Sequence, residues 1–142
     1  MGQLTVPTPR SWDIDPDTSE TAQPQAAEKI YEGSALSDKS GLGNVRQLVK
    51  TENFVGFAMQ SNDNSAGTDG STTITVKDKG TVNLSVTSAS TVSIGAKVYA
   101  TDGNTFTAAS TSAVAIGAIR RKIPGSTTFC SVRIAGKGVQ AG

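Results

Sequence analysis

The chain has 142 residues, enough for one domain with an appendage, a net charge of +1 and an aromatic fraction of only 5%. It holds no histidine and one cysteine, which excludes Ser-His-Asp and Cys-His catalytic sets, an internal disulfide and a tetrahedral Cys/His zinc site. The near-neutral balance argues against nucleic acid or membrane as a partner, and no apolar run of about 18 residues exists to span a bilayer.

Residues 1–29 read as an extended arm. Four of the five prolines, Pro7, Pro9, Pro16 and Pro24, fall there, and proline fixes φ and removes a donor, so a central strand or long helix is not expected. Asp17 and Glu20 have capping-box spacing, but Pro24 would end any helix they start. The arm carries apolar residues at Leu4, Val6, Trp12 and Ile14, including the only tryptophan. These are the candidate anchors to a neighbouring surface, with Arg10 as a polar contact. The alternative is that Trp12 folds back on its own domain.

Residues 30–136 alternate between short apolar runs and turn clusters. Ile30–Leu36 and Asn44–Val49 are separated by a Ser/Asp/Gly turn, and Asn53–Gln60 holds the dense cluster Phe54, Val55, Phe57 and Met59. After a polar loop, Ile74 and Val76, then Val82, Leu84 and Val86, alternate with polar residues at the period of half-buried strands. Lys77-Asp78-Lys79-Gly80 reads as the turn between them. Ser88–Ile94 is expected to be a turn or a single helical turn. Asp102-Gly103-Asn104, between Lys97–Thr101 and Thr105–Ala108, is a hairpin signal because glycine tolerates positive φ. Ile123-Pro124-Gly125-Ser126 separates Val114–Lys122 from Thr127–Ala135, and residues 137–142 form a glycine-rich tail expected to fray. Strands at this spacing predict a mainly β protein, a small antiparallel barrel or sandwich with an extended N-terminal arm. Cys130 lies in an apolar alternation and is expected to be a small buried side chain.

The candidate chemistry is sparse. Asp13-Ile14-Asp15-Pro16-Asp17-Thr18 resembles a phosphoryl-transfer motif, but no apolar strand precedes it and Pro16 lies inside. Its carboxylates could offer oxygens to Ca²⁺, as could Asn62-Asp63-Asn64 with Asp69-Gly70, whose spacing departs from an EF-hand and suits a polar turn better. Gly41-Leu42-Gly43 and Gly136-Lys137-Gly138 lack the rest of a dinucleotide or phosphate loop. Arg120-Arg121-Lys122 is the one basic cluster; strand alternation would send its neighbours to opposite faces, so Arg120 and Arg121 are candidate polar contacts to an acidic partner rather than one patch. Residues 1–29 carry Asp13, Asp15, Asp17, Glu20 and Glu28 against Arg10 and Lys29, whereas residues 112–142 hold five cations and no acid. The two ends could attract one another within a subunit or between neighbours.

The order of several stretches resembles a family of tailed-phage capsid cement, or head decoration, proteins. They are Ile30-Tyr31-Glu32-Gly33-Ser34-Ala35-Leu36, Phe54-Val55-Gly56-Phe57-Ala58, Asn64 to Gly70 with Thr73–Val76 and Gly80–Val82, Gly95-Ala96-Lys97-Val98-Tyr99-Ala100-Thr101-Asp102, and the closing Ala115-Ile116-Gly117 and Val132-Arg133-Ile134. The resemblance covers residues 30–135 and leaves the arm outside. It implies a bacteriophage virion structural protein that is not an enzyme, forms a homotrimer, and sits on the capsid outer surface. There it would stabilise contacts between subunits of the major capsid protein. No cofactor, metal, nucleic acid or membrane is expected. The rival readings are a phage tail, fibre or adhesin-type module and, more remotely, a hydrolase with an unrecognised site; no fixed-period repeat supports a fibre.

Overall fold

The computed structural model describes residues 3–12, 19–24, 28–39, 44–68, 72–108 and 113–135. The chain is mainly β, as expected, and its strands form a closed barrel and a curled sheet that share part of their core. The first is a closed five-stranded barrel of β2 (Ser19–Pro24), β5 (Asn44–Gln47), β4 (Ala35–Asp38), β6 (Phe54–Ala58) and β8 (Ile74–Lys77), with β8 pairing back to β2. The second is a curled sheet of β9 (Lys79–Thr87), β11 (Thr105–Thr107), β10 (Lys97–Asp102), β12 (Val114–Lys122) and β13 (Phe129–Ala135), in which β13 pairs along seven residues of β9. A short β1 (Ser11–Trp12) lies on the other side of β9, and β3 (Glu28–Ile30) pairs with β7 (Asn62–Asn64). Most pairs are antiparallel; β2 with β5 and β11 with β9 are parallel.

The Asp-Gly-Asn and Pro-Gly clusters form the β10–β11 and β12–β13 connections, and Ala89–Thr91 makes one 3-10 turn. The segment at Asp78 differs from the expected turn. β8 ends at Lys77 and β9 starts at Lys79, with Asp78 buried between them, so the chain passes from the barrel into the curled sheet rather than reversing. Polar residues mark this crossover because it bends, not because it is a solvent loop.

The N-terminal stretch departs further from the sequence reading. It is extended, but Ser19–Ala22 pair with Ile74–Lys77 and supply the strand that closes the barrel. Pro24 is tolerated because it lies at the strand's end, beyond that antiparallel ladder, where its missing donor breaks no interior rung.

Two apolar clusters fill the layers. The smaller holds Ile30, Leu36, Val45, Val55, Ala58, Ile74 and Val76. The larger joins Val82, Leu84, Val86, Cys130, Val132 and Ile134 of the curled sheet to Phe54 and Phe57 of the barrel. Strand β6 feeds both because a bulge opposite Leu36 and Ser37 breaks its alternation. Gly56 sits at this irregularity, where a β-carbon would stand 2.6 Å from the Lys77 carbonyl oxygen. Few aromatic residues suffice because they are concentrated: the Phe57 ring meets Trp12, Phe54 and Phe106 at centroid distances of 5.9, 5.8 and 5.8 Å.

Candidate interaction surfaces

Residues 3–12 cross the body as a strap with four fastenings. Gln3 donates to the Leu48 carbonyl (3.1 Å) and accepts from the Gly103 amide (2.6 Å). The Leu4 amide and carbonyl are both held by the Gln47 carboxamide, at 2.8 and 3.1 Å, and the Leu4 side chain is buried. The Thr8 amide donates to the Glu32 carbonyl at 2.6 Å. Arg10 donates to the Gly33 carbonyl (2.7 Å) and to Asn104 Oδ1 (2.8 Å), with its guanidinium 5.8 Å from the Phe57 ring and 5.6 Å from the Phe106 ring. Partial burial pulls the guanidinium below its ordinary pKa, a small cost against two charge-assisted hydrogen bonds and two ring faces.

Of the four apolar arm residues, the structure places Leu4 and Trp12 against their own chain. Trp12 packs its edge on Phe57, and Lys77 Nζ lies 5.2 Å from the Trp12 ring. Val6 points outward and is 60% exposed, between the fastenings at Leu4 and Thr8. Ile14 lies outside the described residues, as do Asp13, Asp15 and Asp17. Arg10 is a fastening of the strap rather than a free contact.

A second surface is the outer face of the curled sheet. Val82, Leu84, Val132, Ile134 and Ile119 point into the core, so the intervening residues of β9, β13 and β12 point outward. Arg120 and Arg121 do not diverge as alternation predicts. The register slips between Ile119 and Arg121, leaving Arg120 as the extra residue of a bulge. Both side chains then lie over the same face: Arg120 donates to Thr81 Oγ1 (3.0 Å) and Arg121 to Ser131 Oγ (3.2 Å), which in turn donates to Asn83 Oδ1 (2.6 Å). The pairings Lys97–Ala118, Ala118–Arg133 and Arg133–Thr81 form one lateral row, which sets Lys97 and Arg133 on this face also.

Strands β9, β11, β12 and β13 contain no carboxylate, and Asp102 in β10 is occupied at its hairpin by the Asn104 amide and the Thr105 hydroxyl. Between Lys97 and Arg133 lies an open groove of about 470 Å³ floored by Ala115, Gly117 and Ala118. Gly117 is required there, since a β-carbon would fall 2.1 Å from the Arg133 carbonyl oxygen. Sequence reasoning noted the two arginines but missed the patch, because Lys97 and Arg133 come from strands far apart in the chain.

The polar loop offers no comparable site. Asp63 accepts the Ser65 amide and hydroxyl, which holds its carboxyl below the ordinary carboxylate range, and Asn64 donates to the Thr68 carbonyl at 2.9 Å. This is a side-chain-stabilised turn. Among the described residues no three acidic, histidine or cysteine side chains gather as a metal site.

A closed barrel, a curled sheet sharing its core and a pinned N-terminal strap define a mainly β protein. Residues 9–130 match the family model of the XM1 gp53 minor capsid protein, and the chain belongs to that family of phage capsid proteins. No curated protein matched the chain.

Proposed function

We propose that this protein is a capsid cement: a non-enzymatic homotrimer that binds the outside of an assembled phage shell and stabilises contacts between major capsid subunits. Membership of a minor capsid family carries the reading, because it assigns the chain to the virion's structural class. The order of strands and glycine turns that resembles decoration proteins supports the finer role, as does the outward Val6 on an otherwise pinned strap.

The mechanism is linkage. A protein that binds the closed shell better than loose coat subunits stabilises the closed state by about RT ln(1 + [L]/Kd) per site. Three sites on one trimer reinforce each attachment through effective concentration. The strap supplies pre-ordered backbone, so little entropy is lost when Val6 and its neighbours meet coat protein.

The test is cosedimentation of purified protein with mature empty shells of its own phage, with shell rupture followed on heating. Saturable binding at a fixed ratio to coat subunits and later rupture are expected. Absence of binding would sink the cement reading and favour a tail or adhesin-type module. Val6→Asp is the accompanying variant: its site is solvent-facing, so melting should change little while shell binding weakens.

A further inference from the structure

We propose that the groove between Lys97 and Arg133 binds an extended segment of the major capsid protein that carries a carboxylate among aliphatic side chains. This rests on the cement reading and adds the chemistry of the coat surface that the curled sheet meets.

Of the cations on this face, Arg120 and Arg121 are occupied within the chain, by Thr81 and Ser131 among other partners. Lys97 and Arg133 differ: both are exposed, and among the described residues no acceptor engages either side chain. They flank Ala118 in one lateral row, two strand spacings or about 10 Å apart at the backbone. One carboxylate seated between them is within reach of both long side chains. A partner that covered the groove without an acid would bury two unpaired charges, which costs more than the contact returns.

Shape selects an extended peptide over a small anion. The other lining side chains, Ala115, Ile116, Ala118 and Ile134, are aliphatic, and Gly117 has none. A register slip between Val98 and Tyr99 pairs Lys97 with Ala118 and Tyr99 with Ala115, so two alanines three residues apart face the same way. They leave a trough along β12 about 10 Å long, which three or four residues of extended chain fill and a single ion does not. Alternate side chains of an extended segment share a face. An acid with Val, Leu or Ile two residues away therefore sets its charge between the cations and its aliphatic neighbour on the alanine floor. The chain belongs to a minor capsid family, and on the cement reading the surface opposite this face is coat protein.

The experiment uses the full-length protein and empty shells of its own phage. Lys97→Glu with Arg133→Glu reverses the charge, and Ala118→Leu fills the floor without changing charge. Each should bind shells ~10-fold or more weakly than wild type. The loss of affinity between ~50 mM and ~500 mM salt should be smaller in the charge variant than in wild type. Circular dichroism and melting check that both variants fold. The wild-type contact is also read directly: a carbodiimide, which joins a lysine amine to a carboxylate touching it, should link Lys97 to an Asp or Glu of the coat protein, identified by mass spectrometry. Wild-type binding to shells with unchanged affinity of the folded variants overturns the groove proposal and leaves the cement reading standing, as does the absence of any Lys97 link to coat. A link from Lys97 to a second copy of this chain instead overturns it too and assigns the groove to self-association. Failure of the wild type to bind shells overturns both readings.

Discussion

The Thr8 carbonyl oxygen stands 1.6 Å from the point where a β-carbon on residue 33 would lie, and Gly33 itself has φ +92°. The strap thus runs directly over backbone that only glycine can supply. The Gly33 carbonyl then accepts from Arg10, so the same residue both admits the strap and holds it.

Gly33→Ala tests that relationship. The substitution meets an unfavourable left-handed backbone and a contact that only displacement of Thr8 can relieve. A loss of about 2 kcal/mol or more in denaturant unfolding is expected. Faster proteolytic cleavage within residues 3–12 should accompany it, with the far-UV spectrum retained. Stability equal to wild type would mean that the strap is not seated on Gly33.

Phe57→Ala should be the most damaging single truncation. Phe57 belongs to a barrel strand, yet its ring is buried among Trp12, Phe54 and Phe106 in the cluster shared with the curled sheet. Loss of a buried phenylalanine costs about 3–5 kcal/mol. Because the core is shared, the two layers should unfold together, and the variant should keep a single transition at a lower midpoint. Two separated transitions in the wild-type melt would contradict the shared core.

Cys130 should resist thiol reagents in the native protein. It is fully buried, and that burial pushes its thiol pKa up. Reaction with an aromatic disulfide reagent at mildly alkaline pH should proceed at the rate of unfolding, and become immediate in denaturant. The pH dependence follows in sign: the folded state holds the proton more tightly than the unfolded state, so this contribution is intact below the ordinary thiol range. It is lost as pH rises through and above that range. Cys130→Ser should remove this alkaline component while costing stability through a buried hydroxyl; an unchanged alkaline stability profile would rule Cys130 out as its source.

Strand positions and most turns were legible in the sequence because they depend on local chemistry. Val82, Leu84 and Val86 alternate with polar residues whatever they pack against, and Asp102-Gly103-Asn104 reverses the chain through its own backbone preferences. The lack of histidine and the lone Cys130 likewise removed whole classes of catalysis and metal binding without reference to a fold. The basic face was legible only as separate cations.

Tertiary structure decided what depends on register and on distant partners. Alternation would separate Arg120 from Arg121, and only a one-residue slip between β12 and β13 brings them to the same face as Lys97 and Arg133. Pro7, Pro9 and Pro24 correctly imply extended chain in the described segments 3–12 and 19–24, but not that Ser19–Pro24 close a barrel or that Gln47 and Glu32 fasten the segment before it. Asp78 reads as a turn because its polarity is local information, while its burial at the crossover between the two layers follows from where β8 and β9 must go. Side-chain chemistry is written residue by residue; pairing partners are fixed by the lowest-energy arrangement of the whole chain.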